Sequence, residues 1–147
     1  MQAVIRIFGA WIAAVLTTYV LCAATSQLVV TSRVAAGEVD VPLGSWLGSI
    51  VDAVSNMTTL LPVIGIAFAV GFTVAAGLKR ILTPLAGVAY PIAGAAAQLA
   101  PLLLMRNIFG IFPLLGAQTS IGLILQILAG AAGGYVFARL IRGSATI

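Results

Sequence analysis

At 147 residues, 62% hydrophobic and 7% charged, with a mean hydropathy of +1.21, the chain lacks the charged surface a soluble domain needs and reads as a membrane protein. Seven Lys/Arg against three Asp/Glu leave a net charge of +4, but the cations stand singly or in pairs at the ends of apolar runs, which suits topology anchoring and argues against nucleic acid as a partner. Histidine is absent and Cys22 is the one cysteine, so an internal disulfide, an ordinary zinc site and histidine-held haem are excluded, and neither a cofactor nor a metal is expected.

In chain order, residues 7–30 form a first span. Arg6 followed by an apolar run and Cys22-Ala23-Ala24 resembles a cleavable signal segment in outline, but the apolar run continues to Val30, so a retained span is expected. Residues 31–59 are the one long connection. Within it Leu43, Trp46, Leu47, Ile50, Val51 and Val54 recur at three- and four-residue steps, with Ser45, Ser49, Asp52, Ser55 and Asn56 on the other side. That spacing predicts a short amphipathic helix on the outer membrane surface, capped by Asp40 ahead of Pro42.

Residues 60–78 are nineteen consecutive positions with no charge, closed by Lys79-Arg80. A helix of that length spans about 28 Å, close to the hydrocarbon thickness of a bilayer. A third span covers 85–105, interrupted by Pro91 and Pro101. A short turn with Arg106, Asn107, Phe109 and Phe112 leads to a fourth span at 114–138, ended by Arg139 and Arg142. The fold class expected is therefore all-α: one transmembrane domain, a compact four-helix bundle with an amphipathic helix in its first outer loop.

Orientation follows from the cations. With both termini cytoplasmic, Arg6, Lys79, Arg80, Arg139 and Arg142 lie inside and Arg33 and Arg106 outside, five against two. The three acids, Glu38, Asp40 and Asp52, then fall outside. Tyr90 and Tyr135 are expected at the inner interface. A bacterial-type inner membrane is the expected location.

Helices in lipid associate where small residues let backbones approach. Such residues recur as Ala10, Ala14, Thr18, Cys22 and Ser26; as Gly65, Ala69, Thr73 and Gly77; as Gly87, Pro91, Gly94, Gln98 and Pro101; and as Gln118, Gly122, Gln126, Gly130 and Gly134. A four-residue step drifts about 40° around the helix, so the last stripe should serve two neighbours. Gly65, Gly77, Gly94, Gly122, Gly130 and Gly134 are the packing positions expected. Ile66, Val70, Val74 and Leu78 should face lipid.

The amides Gln98, Gln118 and Gln126 have two readings: hydrogen bonds between helices, or a shallow polar vestibule open to the outside. Arg106 and Asn107 are expected at the outer interface, snorkelling to headgroups or contacting an anionic group. No span carries a carboxylate, and with no histidine to activate Ser26 or Thr25 the chain is not expected to be an enzyme. The leading expectation is an accessory or scaffold subunit, or a homo-oligomer, joined to membrane partners through small-residue faces amid membrane lipids. The alternative is a small channel or carrier for an uncharged or weakly polar solute or lipid.

Overall fold

A computed structural model describes residues 2–36, 43–56, 58, 60–81, 88–110 and 115–142. All of the structure among them is helical: α1 (Gln2–Ala35), α2 (Leu43–Asn56), α3 (Leu60–Ile81), α4 (Ala89–Phe109), a 3-10 turn (Leu115–Gln118) and α5 (Ser120–Arg142). Among the described residues, three stretches are long and apolar enough to cross a membrane: Val4–Ser32, Leu61–Leu78 and Ser120–Arg142. Helix α4 is not among them.

The bundle inverts the burial of a soluble protein. Its interior is made of small and aromatic residues, while Ile5, Phe8, Ile66, Val70, Ile121 and Leu128 are more than half exposed. That is the arrangement expected where the surroundings are as apolar as the core and only close backbone approach is rewarded. Helix α5 is the hub, packed along α1 on one side and α4 on the other, with α3 laid mainly against α4. The two helices flanking α5 run antiparallel to it. Ala14 meets Gly133 and Cys22 meets Gln126 between α1 and α5, while Tyr90 meets Gly134 and Gln98 meets Gly130 between α4 and α5.

Four boundaries differ from the sequence reading, each for a local reason. Helix α1 extends outward to Gln2 and Ala35. Helix α4 begins at Ala89, so Pro91 sits in its first turn, where a missing N–H costs nothing, and only Pro101 is interior. Arg106 and Asn107 belong to the last turn of α4; the helix stops at Gly110, whose φ of 70° lets its N–H reach back to the Arg106 carbonyl. Helix α5 begins only after Thr119, whose hydroxyl accepts the Gly122 N–H at 3.0 Å as an N-cap, and this leaves Gln118 in the preceding 3-10 turn. The cap expected at Asp40 and the position Gly87 lie outside the described residues.

Tyr90, the second residue of α4, is buried between helices, in an aromatic cluster with Phe68, Phe72 and Phe137. Phe72 stacks on Phe137 at 4.1 Å, and Tyr90 meets both rings edge-on, at 5.9 and 5.1 Å. Three helices meet there. Tyr135, by contrast, is half exposed, with the Arg139 guanidinium 5.8 Å from its ring.

In α3 only Gly65 of the expected stripe is buried, against the Trp11 ring of α1. Ala69, Thr73 and Gly77 face outward beside Ile66, Val70, Val74 and Leu78. The buried face is instead Ile64, Phe68, Phe72 and Ala75. Aromatic bulk, not smallness, fills that contact. In α2 Ala53 is buried, Ile50 is half-buried, and the apolar Leu47 and Val51 stay exposed.

Candidate functional site

Among the described residues the interior holds one polar cluster. The α1 stripe Ala10, Ala14, Thr18, Cys22 and Ser26 is buried along its whole length, so its polar members cannot reach an interface and must find partners inside. They find them on α5 and α4. Gln126, with no exposed surface, donates through Nε2 to the Ser26 hydroxyl at 2.9 Å, and to the Cys22 carbonyl and the Thr25 hydroxyl at 3.2 Å each. An amide nitrogen carries two hydrogens, so these three acceptors share them. Thr25 gives its own hydrogen to the Leu21 carbonyl at 2.7 Å, which leaves its oxygen to accept. Gln98 of α4, also buried, donates to the Cys22 sulfur at 3.1 Å. One turn away, Thr18 donates to the Ala129 carbonyl at 3.5 Å.

Cys22 is thus the meeting point of three helices, its carbonyl taken by α5 and its thiol by α4. The carbonyl oxygens of Gln98 and Gln126 have no hydrogen-bond partner, and neither has the Trp11 indole nitrogen. Each such buried group carries a penalty of about 1–3 kcal/mol, so the cluster is only partly satisfied. It contains no ionisable carboxylate or amine, and no group of three His, Cys, Asp or Glu able to hold a metal occurs among the described residues. Proton transfer and metal chemistry have no groups here to act through. Locking three helices in register is what the arrangement can do.

Gln118 is not part of the cluster. It is exposed, in the 3-10 turn, while Gln98 and Gln126 are sealed between helices, so the three amides do not share one surface.

The glycines work around this cluster. A Cβ at Gly94 would collide with the Gly130 carbonyl oxygen and stand 3.0 Å from the Gly134 nitrogen. At Gly134 it would collide with the Tyr90 carbonyl oxygen, so α4 and α5 touch backbone to backbone. Gly122 is buried as well. Gly133, which the stripe analysis passed over, turns the other way: a Cβ there would strike the Thr18 hydroxyl and lie 2.8 Å from the Ala14 carbonyl of α1. Within the stripe itself Gln126 meets α1 while Gly130 and Gly134 meet α4. Gly71, also passed over, brings α3 against Ala93 and Ala97 of α4, with 3.1 Å from its Cβ position to that of Ala97. At Gly77 nothing lies within 4 Å, so it takes no part in packing among the described residues.

No family model matches the chain, and no characterised protein or solved structure is measurably similar to it. Function must be argued from the residues themselves.

On the outside, α3 and α4 enclose a groove of about 810 Å³ lined by Val63, Ile66, Val70, Val74 and Leu78 on one wall and an alanine-rich α4 face on the other. Arg106 and Asn107 are both exposed at the end of α4.

Proposed function

We propose that the chain is a four-span subunit of a bacterial-type inner membrane, both termini cytoplasmic, that works by assembling with itself or with another membrane protein. Helix α4 is counted as the fourth span because its 21 residues reach about 31 Å and it lies antiparallel along α5. In this topology α2 rests on the outer surface, with the exposed Leu47 and Val51 toward lipid.

The observation that carries the assembly reading is the outward stripe Ala69, Thr73 and Gly77 on α3. The other small-residue stripes are largely used inside the bundle; this one has no partner helix in the described chain, and the Thr73 hydroxyl is satisfied by the Ala69 carbonyl at 2.7 Å. The face therefore offers close backbone approach without an unsatisfied polar group. The test is native mass spectrometry of the tagged protein released from its host membranes in mild detergent, with Gly77→Leu alongside. A homo-oligomer or a reproducible second polypeptide that Gly77→Leu loses, with the monomer still folded, supports the reading. A bare monomer in the unsubstituted protein overturns it.

The second reading, a pathway for a weakly polar solute, is favoured by one observation: the unpartnered carbonyls of Gln98 and Gln126 at depth. Under that reading Gln126→Leu leaves assembly intact and abolishes flux in reconstituted vesicles.

A further inference from the structure

We infer that the outward lane of α5 is a binding site for an anionic phospholipid, with an acyl chain along Ile124, Leu128 and Ala131 and the phosphate held by Arg139 beside Tyr135. These five positions follow one another at three- and four-residue steps, so they fall within about 80° of arc on one face of the helix. That face is turned away from the bundle: Gln126, Gly130 and Gly133, which pack on α1 and α4, lie on the opposite side. Ile124, Leu128 and Tyr135 are each more than half exposed, and Arg139 is exposed beyond them.

The order of side chains along the lane selects the ligand. From Ile124 to Tyr135 it is apolar for about 16 Å, matching one leaflet's roughly 15 Å share of the hydrocarbon core. An amphipathic ring follows and then a cation, which is the order of acyl chain, glycerol ester and phosphate in a phospholipid. The Arg139 guanidinium lies over the Tyr135 ring, 5.8 Å from its centroid. That contact acts through charge and consumes no N–H donor, so the ring steadies the guanidinium while its planar fork serves phosphate oxygens. A partner helix does not suit this face. Ala131 is its one small residue, and the branched and aromatic side chains on either side hold a second backbone off.

Charge at this end of the bundle favours a net-anionic headgroup. Helix α3 runs parallel to α5, with Phe68 beside Gly133 and Phe72 stacked on Phe137, and α1 runs antiparallel to both. Arg6, Lys79, Arg80, Arg139 and Arg142 therefore belong to the terminal turns at one end. All three acidic residues of the sequence lie between Ala35 and Leu60, the residues that close α1 and open α3 at the other end. Cations set apart from acids in this way attract a phosphodiester and repel the ammonium of a zwitterionic lipid. Only the leaflet concerned, the cytoplasmic one, rests on the topology proposed above.

The experiment uses the full chain, delipidated in mild detergent, and titrates dioleoyl phosphatidylglycerol, dioleoyl phosphatidylcholine and glycerol 3-phosphate by native mass spectrometry. The expected result is saturable phosphatidylglycerol binding, about fivefold weaker binding of phosphatidylcholine, and no saturable binding of glycerol 3-phosphate. Arg139→Gln should weaken phosphatidylglycerol binding about fivefold or more, and Tyr135→Phe, which keeps the ring, should leave it nearly unchanged. Arg80→Gln is the control, because it removes the same charge from an exposed position at the same end but on α3. If thermal melts show both arginine variants folded and they weaken binding equally, or not at all, the attraction is diffuse and the inference is overturned. Glycerol 3-phosphate binding as tightly as the lipid would make this a site for a soluble anion and overturn it too. So would an oligomer that Arg139→Gln dissociates while lipid binding is unchanged, because the occupant is then a protein. Gly77→Leu should leave phosphatidylglycerol binding intact whether or not it costs an oligomer, so this site is tested apart from the assembly reading.

Discussion

A single methyl group at Gly134 tests whether the α4–α5 seam holds the bundle together. In Gly134→Ala the new Cβ would collide with the Tyr90 carbonyl oxygen and stand 2.8 Å from the Tyr90 carbonyl carbon and 3.0 Å from the Pro91 Cα. All are backbone atoms, which no rotamer change can remove. Ordinary contact begins near 3.5 Å, so the first turn of α4 must retreat by roughly 1 Å. Overpacking of this kind costs about 1–3 kcal/mol. The retreat also pulls Tyr90 from its edge-on contacts with Phe72 and Phe137, pairs worth about 0.5–1.5 kcal/mol each when fully made. Alanine's better helix propensity returns about 1 kcal/mol. The net expectation is a loss of about 2 kcal/mol, read from reversible unfolding in mixed micelles as SDS is raised. Gly9→Ala is the internal control, because it lies in α1 with the same propensity gain and nothing within 4 Å. It should be neutral or slightly stabilising. Should Gly134→Ala prove no more destabilising than Gly9→Ala, the backbone-to-backbone seam is refuted.

Three further expectations follow from the polar cluster and the helix ends. Gln126→Leu removes three interhelical hydrogen bonds but also an unpartnered carbonyl; at about 0.6 kcal/mol per membrane contact, a loss of about 1–2 kcal/mol is expected in the same unfolding assay. Thr119→Ala deletes the α5 N-cap and should cost about 1 kcal/mol, with Thr119→Ser restoring most of it. Cys22, buried and hydrogen-bonded to Gln98, should resist a membrane-permeant maleimide in the folded protein and label after denaturation; rapid labelling of the folded chain would contradict its placement.

The α1 stripe from Ala10 to Ser26 could be read from sequence because it is long, regular and contains polar residues that hydrocarbon does not tolerate alone. The same reasoning located Gly94, Gly130 and Gly134, where four-residue spacing matches a helix contact. It failed on α3, where Ala69, Thr73 and Gly77 have the same spacing yet face outward, because a stripe of small residues says that close approach is possible and not that it occurs within one chain. The aromatic cluster of Phe68, Phe72, Tyr90 and Phe137 was invisible for a related reason: its members come from three helices and share no local period. Of the polar residues, Gln98 and Gln126 were picked out as amides at depth, but their common partner Cys22 was read only as a small packing residue.

The position of α5 at the hub has a bearing on how the protein is made. Translation delivers α1 to α4 first, at about 5–20 residues per second, while the helix that joins α1 to α4 is still to come. Until α5 arrives, Thr18, Cys22 and Ser26 of α1 wait in the membrane without their Gln126 and Ala129 partners. The bundle is complete only once the α5 glycines pack between α1 and α4.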